Sequence, residues 1–266
     1  MSGLALSLAA AAFYLWAAFR QWRTLNGRAE INRIQVLTCT MIGALLHLGY
    51  LGDSMMGHAH LNFSMLEVGS LISWVMVLLL LFSSWRKPID NLLIGVLPFT
   101  ALLLIVAGAS QTYVPLPHLG YGLAWHILLS ILAFSVFVIA AVQAVLMWLQ
   151  NQALKQRKTQ GIIQALPSLQ SMDTLLFEMI WLGMILLTAA IAIGWPYVSD
   201  MKAQFLIHKV VFACIAWLVF AALLFGRYRF GWRGVIATRW TLIGTAFLVL
   251  SYFGTKFVLE MVLGRF

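Results

Sequence analysis

Residues 122–149 read GLAWHILLSILAFSVFVIAAVQAVLMWL, a run without a single Asp, Glu, Lys or Arg. A bilayer's hydrocarbon core takes about 20 apolar residues of helix per crossing. This run is longer than that, so it is expected to tilt or to project beyond the core. The rest of the chain is built on the same plan. Of its 266 residues 62% are hydrophobic and only 9% charged, whereas a soluble domain would carry roughly 25% charged residues. Water cannot solvate such a surface, and lipid must.

Seven further apolar runs flank the long one, at 4–19, 34–51, 65–82, 92–109, 175–194, 205–225 and 240–263. The expected fold is an all-α integral membrane protein, a single bundle of about eight transmembrane helices occupying 1–266 as one domain. Short connections leave no room for a separate soluble domain.

The loops between runs alternate in charge. The first holds Arg20, Arg23, Arg28 and Arg33, the third Arg86 and Lys87, the fifth Lys155, Arg157 and Lys158, and the seventh Arg227, Arg229, Arg233 and Arg239. The second and fourth contain no Lys or Arg, and the sixth only Lys202. By the positive-inside rule the odd-numbered loops are cytoplasmic. Both termini are then expected outside the cytoplasm, in a bacterial inner membrane. The run at 4–19 precedes its first basic residues, unlike a secretory signal, and is expected to stay as a span. The same alternation accounts for the net charge of +9 without any nucleic-acid partner.

This orientation puts all six histidines towards the non-cytoplasmic side. His58, His60 and His118 fall in loops. His47, His126 and His208 fall at three span ends, at a similar depth of about 5–6 Å inside the outer boundary, taking 1.5 Å per helical residue. Polar residues inside spans usually face the bundle interior, and imidazole ligates haem iron and transition metals. The three are therefore candidate ligands, although each could equally be a histidine hydrogen-bonded near the interface. Gly57-His58-Ala59-His60 offers only two donors, fewer than a zinc site needs. No H-E-x-x-H, G-x-S-x-G or P-loop pattern occurs, so nothing points to hydrolysis. Cys39 and Cys214 lie in apolar runs outside any C-x-x-C pattern and are expected to be packing residues.

Ser64-Met65-Leu66-Glu67 fits a capping box, with Ser64 as N-cap and Glu67 reaching back to its amide. Asp173 is expected to precede and cap the sixth helix. Among the eleven tryptophans, Trp22, Trp85, Trp148, Trp195 and Trp232 sit at expected interfaces. Trp74 and Trp217 are deeper, and Trp125 adjoins His126.

Several stretches resemble the cytochrome c assembly proteins of the CcsA/CcmC-like type. They are Gly57 to Glu67 with Ser70-Leu71-Ile72-Ser73-Trp74, then Tyr121 to Ser130, then Ala216 to Ala221 with Gly231-Trp232-Arg233-Gly234. Leu166 to Asp173 is similar to a loop of the short HemX-like and YpjD-like inner-membrane branch. The resemblance spans nearly the whole chain. It implies a haem cofactor, with His126 in the segment carrying the family's first external haem ligand. His47 or His208 would then stand across the iron, and Trp125 would flank the porphyrin.

Departures from the family pattern are equally specific. The external Trp-rich, Asp-containing motif is degenerate here, between Gly194-Trp195-Pro196-Tyr197 and His208-Lys209. No second external histidine lies near Leu263-Gly264-Arg265-Phe266, and a membrane histidine is replaced around Gly226. The expectation is thus a haem-binding, haem-handling membrane protein of cytochrome c assembly that is not itself an attachment enzyme. Its partners would be the bilayer, haem and other assembly proteins. The alternative is a regulatory or scaffold membrane protein linked to tetrapyrrole synthesis that binds no haem.

Overall fold

The computed structural model describes residues 2–26, 32–56, 61–87, 89–110, 112–115, 120–157, 166–197, 207–254 and 257. They form α1 (Ser2–Leu25), α2 (Arg33–Met56), α3 (Met65–Ser84), α4 (Leu93–Ala109), α5 (Tyr121–Lys155), α6 (Leu169–Gly194), α7 (Ile207–Phe230) and α8 (Val235–Val249). A 3₁₀ turn at Asp90–Leu92 leads into α4, another at Trp195–Tyr197 follows α6, and Leu250–Gly254 continues α8 as a π-helical turn. With these turns counted, each of the eight is long and apolar enough to cross a membrane. Among the described residues the sole β pairing is an isolated bridge between Asn62 and Pro115. The chain is therefore an all-helical, multi-pass membrane protein.

Several helix boundaries run past the apolar runs, as at both ends of α1 and α2. One shift of six residues is in α6, which starts at Leu169 rather than 175. Ser168 is its N-cap, accepting from the Ser171 amide at 3.2 Å, a bond the hydropathy profile does not register. Asp173 consequently lies inside α6 and does not cap it. Its carboxylate instead accepts from the Gly234 amide at 3.1 Å, at the start of α8, and pairs with Arg227 at 2.8 Å.

Contacts divide the chain into two compact units, Met1–Pro117 with Ala153–Leu166, and His118–Gln152 with Pro167–Phe266. In the first, α1 to α4 form a closed ring of neighbours, α1 against α2 and α4, and α3 against α2 and α4. Its centre is Tyr14, Met76, Leu80, Leu93, Leu97 and Leu104, all essentially inaccessible. Gly43 lets α2 approach α1 here, because a Cβ at that position would lie 2.9 Å from the Tyr14 ring. An ion pair between Arg33 and Asp90 at 2.6 Å ties the start of α2 to the turn before α4.

The second unit, α5 to α8, is organised around two stacked rings. Phe137 and Phe220 lie 3.9 Å apart at 18° and are completely buried. Close backbone approach through small residues is what membrane helices use in place of a hydrophobic drive. Side-chain hydroxyls add interhelical hydrogen bonds, Thr238 to the Ala144 carbonyl and Thr245 to the Phe137 carbonyl, both at 3.4 Å. Two polar residues of α5 are tied down in the same way. Gln143 donates to the Met172 carbonyl and Gln150 to the Pro167 carbonyl.

Candidate functional site

The three span-end histidines have very different surroundings. His47 belongs to the first unit and is fully buried. Its Nδ1 lies 3.3 Å from the Tyr14 hydroxyl and its Nε2 2.8 Å from the Ser70 hydroxyl. A neutral imidazole has one donor and one acceptor nitrogen, and hydroxyls serve either role, so both nitrogens are satisfied. The Tyr14 ring also meets His47 edge-on at 6.0 Å. To ligate a metal, His47 would have to give up one of these hydrogen bonds.

Glu67 sits in the same unit, also buried. The Ser64 hydroxyl accepts from the Glu67 amide at 3.4 Å, so Ser64 is the N-cap of α3 as expected. The second half of the capping box is overturned. Asn62 Oδ1 takes the Ser64 amide at 3.1 Å, and the Glu67 carboxylate turns inwards to accept from the Tyr50 hydroxyl at 2.7 Å. Asn62 is free to do this because its own side chain is anchored on the strand-like segment at 112–115.

His126 is in the second unit, in the second turn of α5, and is half-buried. Its Nδ1 lies 2.7 Å from the Ala190 carbonyl of α6. A carbonyl only accepts, so Nδ1 carries a proton, and in the neutral imidazole Nε2 is then the nitrogen with the lone pair. Metal-bound histidines are oriented in this way, with the second ring nitrogen donating to a carbonyl or carboxylate. Gly194, one helical turn beyond Ala190, makes the approach possible. A Cβ there would come within 2.5 Å of Nδ1 and 2.6 Å of Cε1. The α6 backbone thus forms a seat into which only a glycine lets the imidazole sink.

Aromatic side chains surround this end of the second unit. Trp125 is 44% exposed and meets Tyr121 edge-on at 6.3 Å. The Tyr197 hydroxyl approaches the backbone at Gly122, where a Cβ would lie 2.4 Å from it. His208 lies at the start of α7 with its side chain exposed. Because α5 and α7 are alternate helices, both begin at this same end. Lys209 follows, its ammonium 5.1 Å over the Tyr252 ring.

Among the described residues no three His, Cys, Asp or Glu side chains gather as a metal cluster. A haem iron needs no such cluster, since the porphyrin supplies the equatorial donors and the protein only axial ones. His126, half-buried and with Nδ1 held by the Ala190 carbonyl, presents one such donor nitrogen in its neutral form. His58, His60 and His118 lie outside the described residues, as does Glu260. Cys39 and Cys214 are free thiols. Ala190 and Gly194 are the participants that residue types did not reveal, because a carbonyl acceptor leaves no trace in sequence.

The family model described as Cytochrome C assembly protein matches residues 35–263. The chain belongs to that family. It is 30% identical over 247 residues to the Escherichia coli (strain K12) inner membrane protein YpjD, covering 91% of this chain and 89% of that relative. It is also similar to the protein HemX of Brevibacillus brevis, at 22% identity over 237 residues, 86% of this chain and 87% of the relative. No solved structure matches it. Membership links this membrane protein to cytochrome c biogenesis.

Proposed function

We propose that the chain binds and hands on haem during cytochrome c assembly, with His126 Nε2 as the nitrogen that would hold its iron, and does not itself attach haem to apocytochrome. The observation that carries this reading is the 2.7 Å hydrogen bond from His126 Nδ1 to the Ala190 carbonyl, which leaves Nε2 as a fixed donor. Trp125 and Tyr121, which meet edge-on at 6.3 Å, are exposed aromatic rings in the same two turns of α5. His208 is the second-ligand candidate within the same unit, since its exposed ring can turn towards a ligand without breaking a buried hydrogen bond. His47, with both nitrogens engaged, is the costlier choice. Bound haem would supply the iron that these imidazoles hold and would be the cargo delivered. The chain's own part is to orient the donor and to exclude water from one side of it.

The location follows the same reasoning. The odd-numbered loops carry the arginines, so the His126 end faces away from the cytoplasm, in a bacterial inner membrane, with both termini on that side. The degenerate motif between Trp195 and His208 argues for carriage rather than attachment, with other assembly proteins as partners.

The test is an absorption spectrum of detergent-purified protein made with ample haem supply. A Soret band is expected, and it should weaken and shift in His126→Ala. Either His208→Ala or His47→Ala should reproduce the change, and the other should not. Wild-type protein with no Soret absorbance would overturn the haem reading and leave the regulatory or scaffold role linked to tetrapyrrole synthesis.

A further inference from the structure

At the opposite end of the second unit, where α5 and α7 finish and α6 and α8 begin, lies an open cleft of about 400 Å³. Its polar wall includes Arg227, Arg233, Asp173, Asn151 and Gln170, and its apolar wall includes Met147 and Trp148. Arg227 is held rigidly. It pairs with Asp173 at 2.8 Å, donates to the Trp232 carbonyl at 3.1 Å and lies 4.3 Å over the Phe177 ring. The Asp173 carboxylate is already engaged by Arg227 and by the Gly234 amide. Arg233 adds a second guanidinium at the exposed lip. The charged walls therefore carry one net positive charge, with a pre-positioned guanidinium and neutral hydrogen-bonding side chains beside it.

We propose that this cleft binds the phosphate headgroup of an anionic membrane lipid. Guanidinium groups match phosphate geometry and hold it through charge-assisted hydrogen bonds. Basic pockets between transmembrane helices at the cytoplasmic face are suited to such headgroups, and the charge bias of the loops assigns this end to that face. The composition of the walls selects a lipid over a soluble phosphate. Trp148 is 41% exposed and Val145, about one helical turn deeper in the span, is 40% exposed, so an apolar surface continues from the cleft along α5. A headgroup would seat against Arg233 and Arg227 while its acyl chains follow that surface. The site is separate from His126 and does not depend on haem being bound.

The test uses the full-length protein in dodecyl maltoside, titrated with phosphatidylglycerol and followed by native mass spectrometry and by thermal unfolding. Wild-type protein is expected to retain phosphatidylglycerol and to melt higher with it, and not to do so with phosphatidylcholine. Arg233→Gln should weaken phosphatidylglycerol binding about tenfold, the size of one charge-assisted hydrogen bond, with the unliganded melting temperature unchanged. Arg239→Gln removes a nearby exposed charge that does not line the cleft and should bind as wild type does. Equal weakening in both variants would mean diffuse charge attraction and overturn the site. An Arg233→Gln protein that binds as wild type would overturn it as well. Stabilisation by potassium phosphate equal to that by phosphatidylglycerol would refute the lipid.

Discussion

Replacing Gly194 by Ala would set a methyl group 2.5 Å from His126 Nδ1, 2.6 Å from Cε1 and 3.3 Å from Cγ. Carbon and nitrogen atoms rest about 3.5 Å apart or more, so the ring must retreat by roughly 1 Å. The Nδ1–Ala190 hydrogen bond, now 2.7 Å, would then stretch beyond the range in which it counts. The stability change should be small. Losing the hydrogen bond costs about 1 kcal/mol, and replacing glycine in a helix returns roughly 0.5–1 kcal/mol. Haem affinity should respond far more, because removing the group that orients a metal-ligating histidine typically costs about 10–100-fold. The assay is a haem titration of apoprotein in detergent, followed at the Soret band, beside a thermal melt by circular dichroism. The expected result is affinity lowered by about that factor with little change in melting. Wild-type affinity and an unshifted Soret band in Gly194→Ala, with His126→Ala still defective, would refute the idea that the α6 backbone orients the ligand.

Three other outcomes follow from named contacts. His47→Ala leaves the buried Tyr14 and Ser70 hydroxyls without their partner and opens a cavity, so unfolding in denaturing detergent should show a loss of about 2–4 kcal/mol. If that variant kept its stability but lost the Soret band as His126→Ala does, His47 would be the iron's second ligand instead. Glu67→Gln keeps an acceptor for the Tyr50 hydroxyl and should be mild, whereas Glu67→Leu takes the carboxylate acceptor away from the Tyr50 and Ser54 hydroxyls and should cost about 1–3 kcal/mol; equal melting of the two variants would dismiss the contact. Reporter fusions after Arg28 and after Arg233 should read cytoplasmic, and fusions after His58 and at the C-terminus external, with a cytoplasmic C-terminus contradicting the charge argument.

Eight helices were legible residue by residue, because crossing a bilayer is a demand on local composition. Every backbone amide must be paired within its own segment, and every lipid-facing side chain must be apolar. That demand is met or failed within about 20 consecutive residues, so apolar runs such as 65–82 and 92–109 marked α3 and α4 closely. Helix ends were less visible. At Ser168 the end is set by a single hydroxyl on a single amide, which average hydropathy cannot resolve, whereas at Ser64 the capping pattern in the sequence marked it. His126, His47 and His208 could be singled out by residue type and depth alone. Their roles could not, because a role depends on which group from a distant part of the chain meets each nitrogen. His47 meets two hydroxyls, from α1 and α3, and is spent on packing. His126 meets a carbonyl of α6 and keeps one nitrogen in hand. Glu67 and Asp173 each had a plausible partner nearby in sequence and took another from a different helix, Tyr50 in one case and Arg227 in the other. Hydropathy sums over neighbours along the chain, whereas hydrogen bonds are directional and pair groups across helices, so the first is written locally and the second exists only once the helices have packed.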